Sequence, residues 1–258
     1  MHPRTRSLAS LAFAAGLVAA AAPAHGQQIR YGPESALGGG AVRSYLILDA
    51  DQQPVELGVA IDESVFGGLP DLADAPPEES YILMDLELPE GNPTPYRLAS
   101  IDWNPKGHPP VMYGVPHFDF HFYLIDAATR DAIEAPDLVA LEAVGSKAPE
   151  AGLLPGNYVY PGEATVPQMG AHWIDPASHE FHGETFDRTY IYGTWDGRVI
   201  FHEPMITRAF IESRPDAAYE IATPERYEAP GWYPSAYRVG FDAETGQYRI
   251  ALMGFAQR

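Results

Sequence analysis

His117-Phe118-Asp119-Phe120-His121-Phe122-Tyr123 alternates polar and aromatic residues without a break. Successive side chains of a β-strand point to opposite faces. The segment therefore predicts a strand with His117, Asp119 and His121 on one face and Phe118, Phe120 and Phe122 on the other. The phenylalanine face belongs in a core, and the ionisable face must meet water, a metal ion or a substrate, because such groups need partners.

Working outward, the same logic gives more strands. Arg43–Leu48 and Val55–Ile61 flank a polar turn, Tyr81–Leu88 pairs with Tyr96–Trp103, and Tyr237–Phe241 pairs with Tyr248–Met253. Phe186–Trp195 and Arg198–Glu203 flank Asp196-Gly197, a strong two-residue hairpin signal. Asp126 predicts the cap of a short helix reaching Ala135, and Ile206–Glu212 fits helix or strand. Nine or ten strands with one or two short helices, closed by 25 prolines and 24 glycines, predict a mainly β (or α+β) fold. The expected architecture is a single β-barrel or β-sandwich domain over residues 41–258, with residues 27–40 a loosely held lead-in.

Residues 1–26 read as a signal peptide. Arg4 and Arg6 precede an apolar run from Leu8 to Ala22, too short to cross a bilayer comfortably, and Ala22-Pro23-Ala24-His25-Gly26 offers a small-residue cleavage site. The expected location is periplasmic or secreted, with no membrane span after cleavage. The remaining chain has 14 basic and 35 acidic residues, a net charge of −21, which repels phosphate backbones and excludes nucleic acid as a partner. There is no cysteine, so stability rests on an ordinary core rather than on disulfides.

Of nine histidines, the seven outside the signal region all lie between positions 108 and 202. Two imidazoles at i and i+4 on one strand, joined by a ligand from a neighbouring strand, suit Zn, Fe, Mn or Cu in a β-protein. His172 and either His202 or Glu203 are the candidates for the missing ligands. His202 and Glu203 are adjacent on a strand, so only one is expected to point inward. Asp119 is the natural partner to orient a ring or act as a base, and His108, Trp173 and Tyr123 are candidates to line the pocket. His179 and His182 fall in a stretch that reads as a mobile acidic loop.

Pro116–Tyr123, Met169-Gly170-Ala171-His172-Trp173-Ile174-Asp175 and Tyr192–Gly197 leading to Glu203-Pro204-Met205-Ile206-Thr207 together resemble a family of uncharacterised exported bacterial proteins classed as a domain of unknown function. The resemblance implies export and one domain. It draws attention to His117, His121, His172 and Glu203, and favours Glu203 over His202, without giving any of them a role.

The resulting expectation is a divalent metal ion held by His117, His121, His172 and Glu203 in a pocket for an unidentified small-molecule ligand, whether or not the protein is an enzyme. The alternative is a non-catalytic envelope protein that binds a ligand or forms a homo-oligomer through exposed sheet edges. Carbohydrate binding through Trp103, Trp173 and Trp232 is a third reading, carried by aromatic content alone.

Overall fold

The computed structural model describes residues 26–72, 74, 76 and 80–258; the signal-peptide reading lies outside them. The protein is mainly β, two curled antiparallel sheets forming a half-barrel or sandwich. One sheet contains β1 (Gln28–Tyr31), β2 (Ser35–Leu37), β3 (Gly40–Leu48), β4 (Pro54–Asp62), β12 (Ala217–Glu220), β14 (Ala236–Asp242) and β15 (Gln247–Met253). Its order is β1-β3-β4-β15-β14-β12, with β2 on β3, so strands from both ends of the chain share it.

The other sheet carries the histidines. It contains β5 (Ile82–Leu86), β6 (Leu98–Asn104), β7 (His117–Tyr123), β8 (Thr165–Val166), β9 (Gly170–Trp173), β10 (Arg188–Trp195) and β11 (Arg198–Thr207), in the order β5-β6-β7-β11-β10-β9-β8. A two-stranded ribbon of β13 (Trp232–Tyr233) and β16 (Ala256–Gln257) completes the strands among the described residues.

Residues 27–40 are not a loose lead-in. Gln28–Tyr31 pairs with Tyr45–Leu48, and Ser35–Leu37 pairs with Gly40–Val42. A short polar strand has little periodic signal of its own, and here it is held by the backbone hydrogen bonds of a longer neighbour. The Asp196-Gly197 turn forms as expected, with φ of 47° and 77° at its two residues and Trp195 opposite Arg198. β11 continues past Glu203 and Pro204 to Thr207. Proline has no N–H to donate, and at that point the paired residues of β11 and β7 skip from His202↔Phe122 to Met205↔Asp119.

Three short helices are present among the described residues: α1 (Ala127–Asp131), α2 (Leu138–Gly145) and α3 (Arg208–Glu212). Each is started by a side chain that accepts a backbone N–H: Asp126 from Thr129, Asp137 from Ala140, and Thr207 from Phe210. The 206–212 segment is thus both things it resembles, strand to Thr207 and helix after it. No helix among the described residues is long and apolar enough to cross a membrane.

The two faces of β7 behave as the alternation predicts. Phe118, Phe120 and Phe122 are fully buried between the sheets, together with Trp103, Ile101, Ile206 and residues of the first sheet such as Val59 and Ile250. The polar face is buried as well. A second apolar cluster of Leu98, Tyr113, Tyr123, Ile133, Met169, Phe186, Ile191, Phe201 and Met205 covers it, drawn from the sheet itself and from the connections before β7, after α1 and before β9 and β10. A sheet of which both faces are covered has no solvated side, and this is why ionisable groups end up inside.

Candidate metal centre

Three neighbouring strands set the polar face. β6 lies against β7 with Asn104 opposite His117, Asp102 opposite Asp119 and Ser100 opposite His121. Glu203 lies in the step of β11 left unpaired with β7, between His202, opposite Phe122, and Met205, opposite Asp119, which brings it beside His121, and β9 brings His172 opposite Gly193 of β10, itself opposite Phe201. Asp102 and Asn104 were not singled out from sequence, although Ser100-Ile101-Asp102-Trp103-Asn104 carries the same polar–apolar alternation as the β7 segment.

His121, His172 and Glu203 converge. Glu203 Oε2 lies 3.6 Å from His121 Nε2 and 3.7 Å from His172 Nε2. These are not hydrogen-bonding distances. They are close to the separation of about 3.4 Å between neighbouring ligands that follows from a tetrahedral angle and metal–ligand bonds of about 2.0–2.1 Å. The His172 ring is oriented for that role. His172 Nδ1 is 2.9 Å from the Ala164 carbonyl, to which it donates its proton, leaving the Nε2 lone pair towards Glu203. His121 Nδ1 faces Asp102 Oδ2 at 3.6 Å, beyond hydrogen-bonding distance, so this ring is flanked by a carboxylate on each side without being held by either.

His117 does not join this set, contrary to the expectation of a single group of four. It faces Asp119 and His108 instead, with His117 Nε2 3.3 Å from Asp119 Oδ1 and His108 Nε2 3.5 Å from Asp119 Oδ2. Residues two apart on a strand project in parallel about 6.6 to 7 Å apart, so each histidine of β7 is reached by different neighbours. Trp173 is also displaced from the expected pocket. It follows His172 on β9, points to the opposite face, and donates from Nε1 to Thr194 Oγ1 at 2.7 Å within the core between the sheets. Tyr123 does line the site, its ring stacked on His121 with centroids 5.6 Å apart and the Arg130 guanidinium 5.6 Å from the Tyr123 ring centre.

Both members of the His202/Glu203 pair are buried, one on each face. His202 Nδ1 sits 3.0 Å from the Tyr96 hydroxyl and 2.9 Å from that of Tyr190, away from the metal-ligand candidates. The 179–182 stretch is a single 3-10 turn, with His179 Nε2 3.0 Å from Asp187 and Glu180 buried against the Tyr113 hydroxyl.

The electrostatics favour neutral imidazoles at His121 and His172 beside crowded carboxylates. Burial first, then the neighbouring His172, pushes His121 down to about 3, and burial takes His172 to about 4. Both rings therefore present lone pairs at neutral pH. Burial raises Glu203 well above the usual carboxylate range, and Asp119 and Asp102 push it further. Asp102 is raised by burial and by Asp119. Asp119 goes the other way, since His117 and His108 outweigh its burial. Ser100 Oγ, Asp102 Oδ1, Asp119 Oδ1, both nitrogens of His121, His117 Nε2, Tyr123 OH and Glu203 Oε2 are all buried without a hydrogen-bond partner. So many orphaned polar atoms on one face mark a place where a further charged or polar species fits.

Gly193 makes room beside His121, His172 and Glu203. A Cβ there would run into the ring of Phe201, which packs edge-on against both His121 and His172 at 5.0 and 5.1 Å. Phe201 is fully buried and cannot swing aside. Gly193→Ala is expected to destabilise the protein by about 1–3 kcal/mol, measured by urea unfolding. Unchanged stability would show that the ring has room to move.

The class defined by fold and site is a mainly β protein whose buried histidine and carboxylate groups can hold a metal ion. No protein-family model, no curated protein and no solved structure matches the chain.

Proposed function

We propose that this is an exported metalloprotein whose principal ion is held by His121, His172 and Glu203 and serves a small-molecule ligand. The observation that supports the reading most directly is the meeting of His121 Nε2, His172 Nε2 and Glu203 Oε2 within 4.8 Å of one another, at separations too long for hydrogen bonds. None of the three makes a hydrogen bond to another at these distances, and a cation among them would be met by two imidazoles and a carboxylate. Two imidazoles and one carboxylate suit a first-row divalent ion, Zn²⁺, Fe²⁺, Mn²⁺ or Cu²⁺, better than Mg²⁺ or Ca²⁺, which prefer oxygen. Three protein ligands leave coordination positions for water or a ligand, and such an ion can polarise a bound oxygen or activate water. His172, 16% exposed at its side chain against 1–2% for His121 and Glu203, marks the side from which a solute would reach it. Export rests on the basic start and short apolar run of residues 1–26.

The test is elemental analysis of untagged protein beside the His172→Ala variant, with thermal unfolding before and after metal is added to chelator-treated samples. Near-stoichiometric metal in the wild type, lost in the variant, is expected. Free metal at about a thousand times Kd contributes about 4 kcal/mol, which raises Tm by about 8–16 °C for a chain of this size. No metal after reconstitution and an unmoved Tm would overturn the reading in favour of a structural or metal-free binding role.

A further inference from the structure

We propose that His108, His117 and Asp119 form a second metal site, nearer the solvent and sharing no ligand with the first. Each imidazole is already committed through Nδ1 to a main-chain carbonyl, His117 to Val115 at 2.7 Å and His108 to Pro109 at 2.8 Å. The remaining nitrogen of each ring, Nε2, faces Asp119, whose oxygens stand 3.3 and 3.5 Å away. Here too the separations match those between ligands of one ion rather than hydrogen bonds. His117 Nε2 and Asp119 Oδ1 are buried and without a partner, and these two residues are 0% and 5% exposed.

The carboxylate is positioned by Asn104, whose Nδ2 donates to Asp119 Oδ2 at 2.8 Å. The rings of His108 and His117 lie 4.7 Å apart at 76° to one another, so their nitrogens approach Asp119 from different directions. Two nitrogens and one carboxylate again select a first-row divalent ion. The surroundings differ from those of the inner group. His108 comes from the loop before β7, and its side chain is 37% exposed, so this ion would keep solvent-facing positions and exchange more readily. Asp119 and His121 are two apart on β7, which sets the two groups side by side at about the strand repeat of 6.6 to 7 Å. Occupancy of the outer group does not require an ion in the inner one.

The experiment is a Co²⁺ titration of the chelator-treated full chain by calorimetry and visible absorption, comparing wild type, His108→Ala and His172→Ala. Two equivalents are expected for the wild type and one for each variant, with the lost equivalent weakened at least about 100-fold and with different absorption spectra remaining. His108 lies on an exposed loop, so its variant should fold; Asn104→Ala, checked by circular dichroism, supplies a second perturbation that weakens only the outer equivalent. One equivalent in the wild type that survives His108→Ala and vanishes in His172→Ala would overturn the second site and leave the first standing. One equivalent lost only in His108→Ala would do the reverse. Two equivalents that both survive His108→Ala, or no binding at all, would also overturn the outer site.

Discussion

Glu203→Gln is expected to abolish binding at the inner group while making the metal-free protein more stable at neutral pH. The amide removes the charge that balances a divalent ion, so affinity should fall by at least about 100-fold. The gain in metal-free stability follows from the crowding of carboxylates. Glu203 is 2% exposed, and burial, then Asp119 and Asp102, raise its pKa well above its ordinary 4.5. An acid with a raised folded pKa holds its proton more tightly folded than unfolded, so it becomes destabilising as pH rises from the unfolded value towards the folded one. At pH 7 the neutral glutamine should recover about 1–3 kcal/mol, and little at pH 4.5. Urea unfolding of both metal-free proteins at the two pH values measures this. A variant less stable than the wild type at pH 7 without metal would show that Glu203 instead makes a structural bond, and the crowding account would fail.

The second large effect concerns His202, which lies on the other face and takes no part in either metal group. Burial alone takes its imidazole from 6.5 down to about 3. The folded protein keeps it neutral while the unfolded chain takes up a proton, so its contribution is fully present above pH 6.5 and is lost as pH falls towards 3. The loss amounts to about 5 kcal/mol over that window, at about 1.4 kcal/mol per pH unit. His202→Gln keeps a polar group near the Tyr96 and Tyr190 hydroxyls and removes the titration. The wild-type curve of stability against pH should therefore be steeper than the variant's by up to one proton between pH 6 and 4. Identical slopes would mean that His202 does not titrate on unfolding.

Much of this was legible in the sequence because it is local. Strict alternation over 117–123 is enough to assign a strand and its two faces, since the side-chain period of an extended chain is two whatever surrounds it. Asp196-Gly197 specifies its turn because both residues tolerate positive φ. The two short capped helices at Asp126 and Thr207 likewise lie in segments that carry their own signals. Of the seven histidines between 108 and 202, four, His117, His121, His172 and His202, lie on strands of this sheet.

What the sequence alone determined is therefore the mainly β class, the strands with strong periodicity, and the residue types available for metal binding. Tertiary structure decided which of them meet. The pairing of β11 with β7 sets Glu203 beside His121, the pairing of β9 with β10 brings in His172, and the loop before β7 delivers His108 to His117 and Asp119. It split an expected set of four into two groups, turned Trp173 into the core and buried both His202 and Glu203. The physical reason is that a strand fixes only the side on which a side chain emerges. The neighbours it finds there come from distant parts of the chain, and so does the layer that covers that face, which no local pattern encodes.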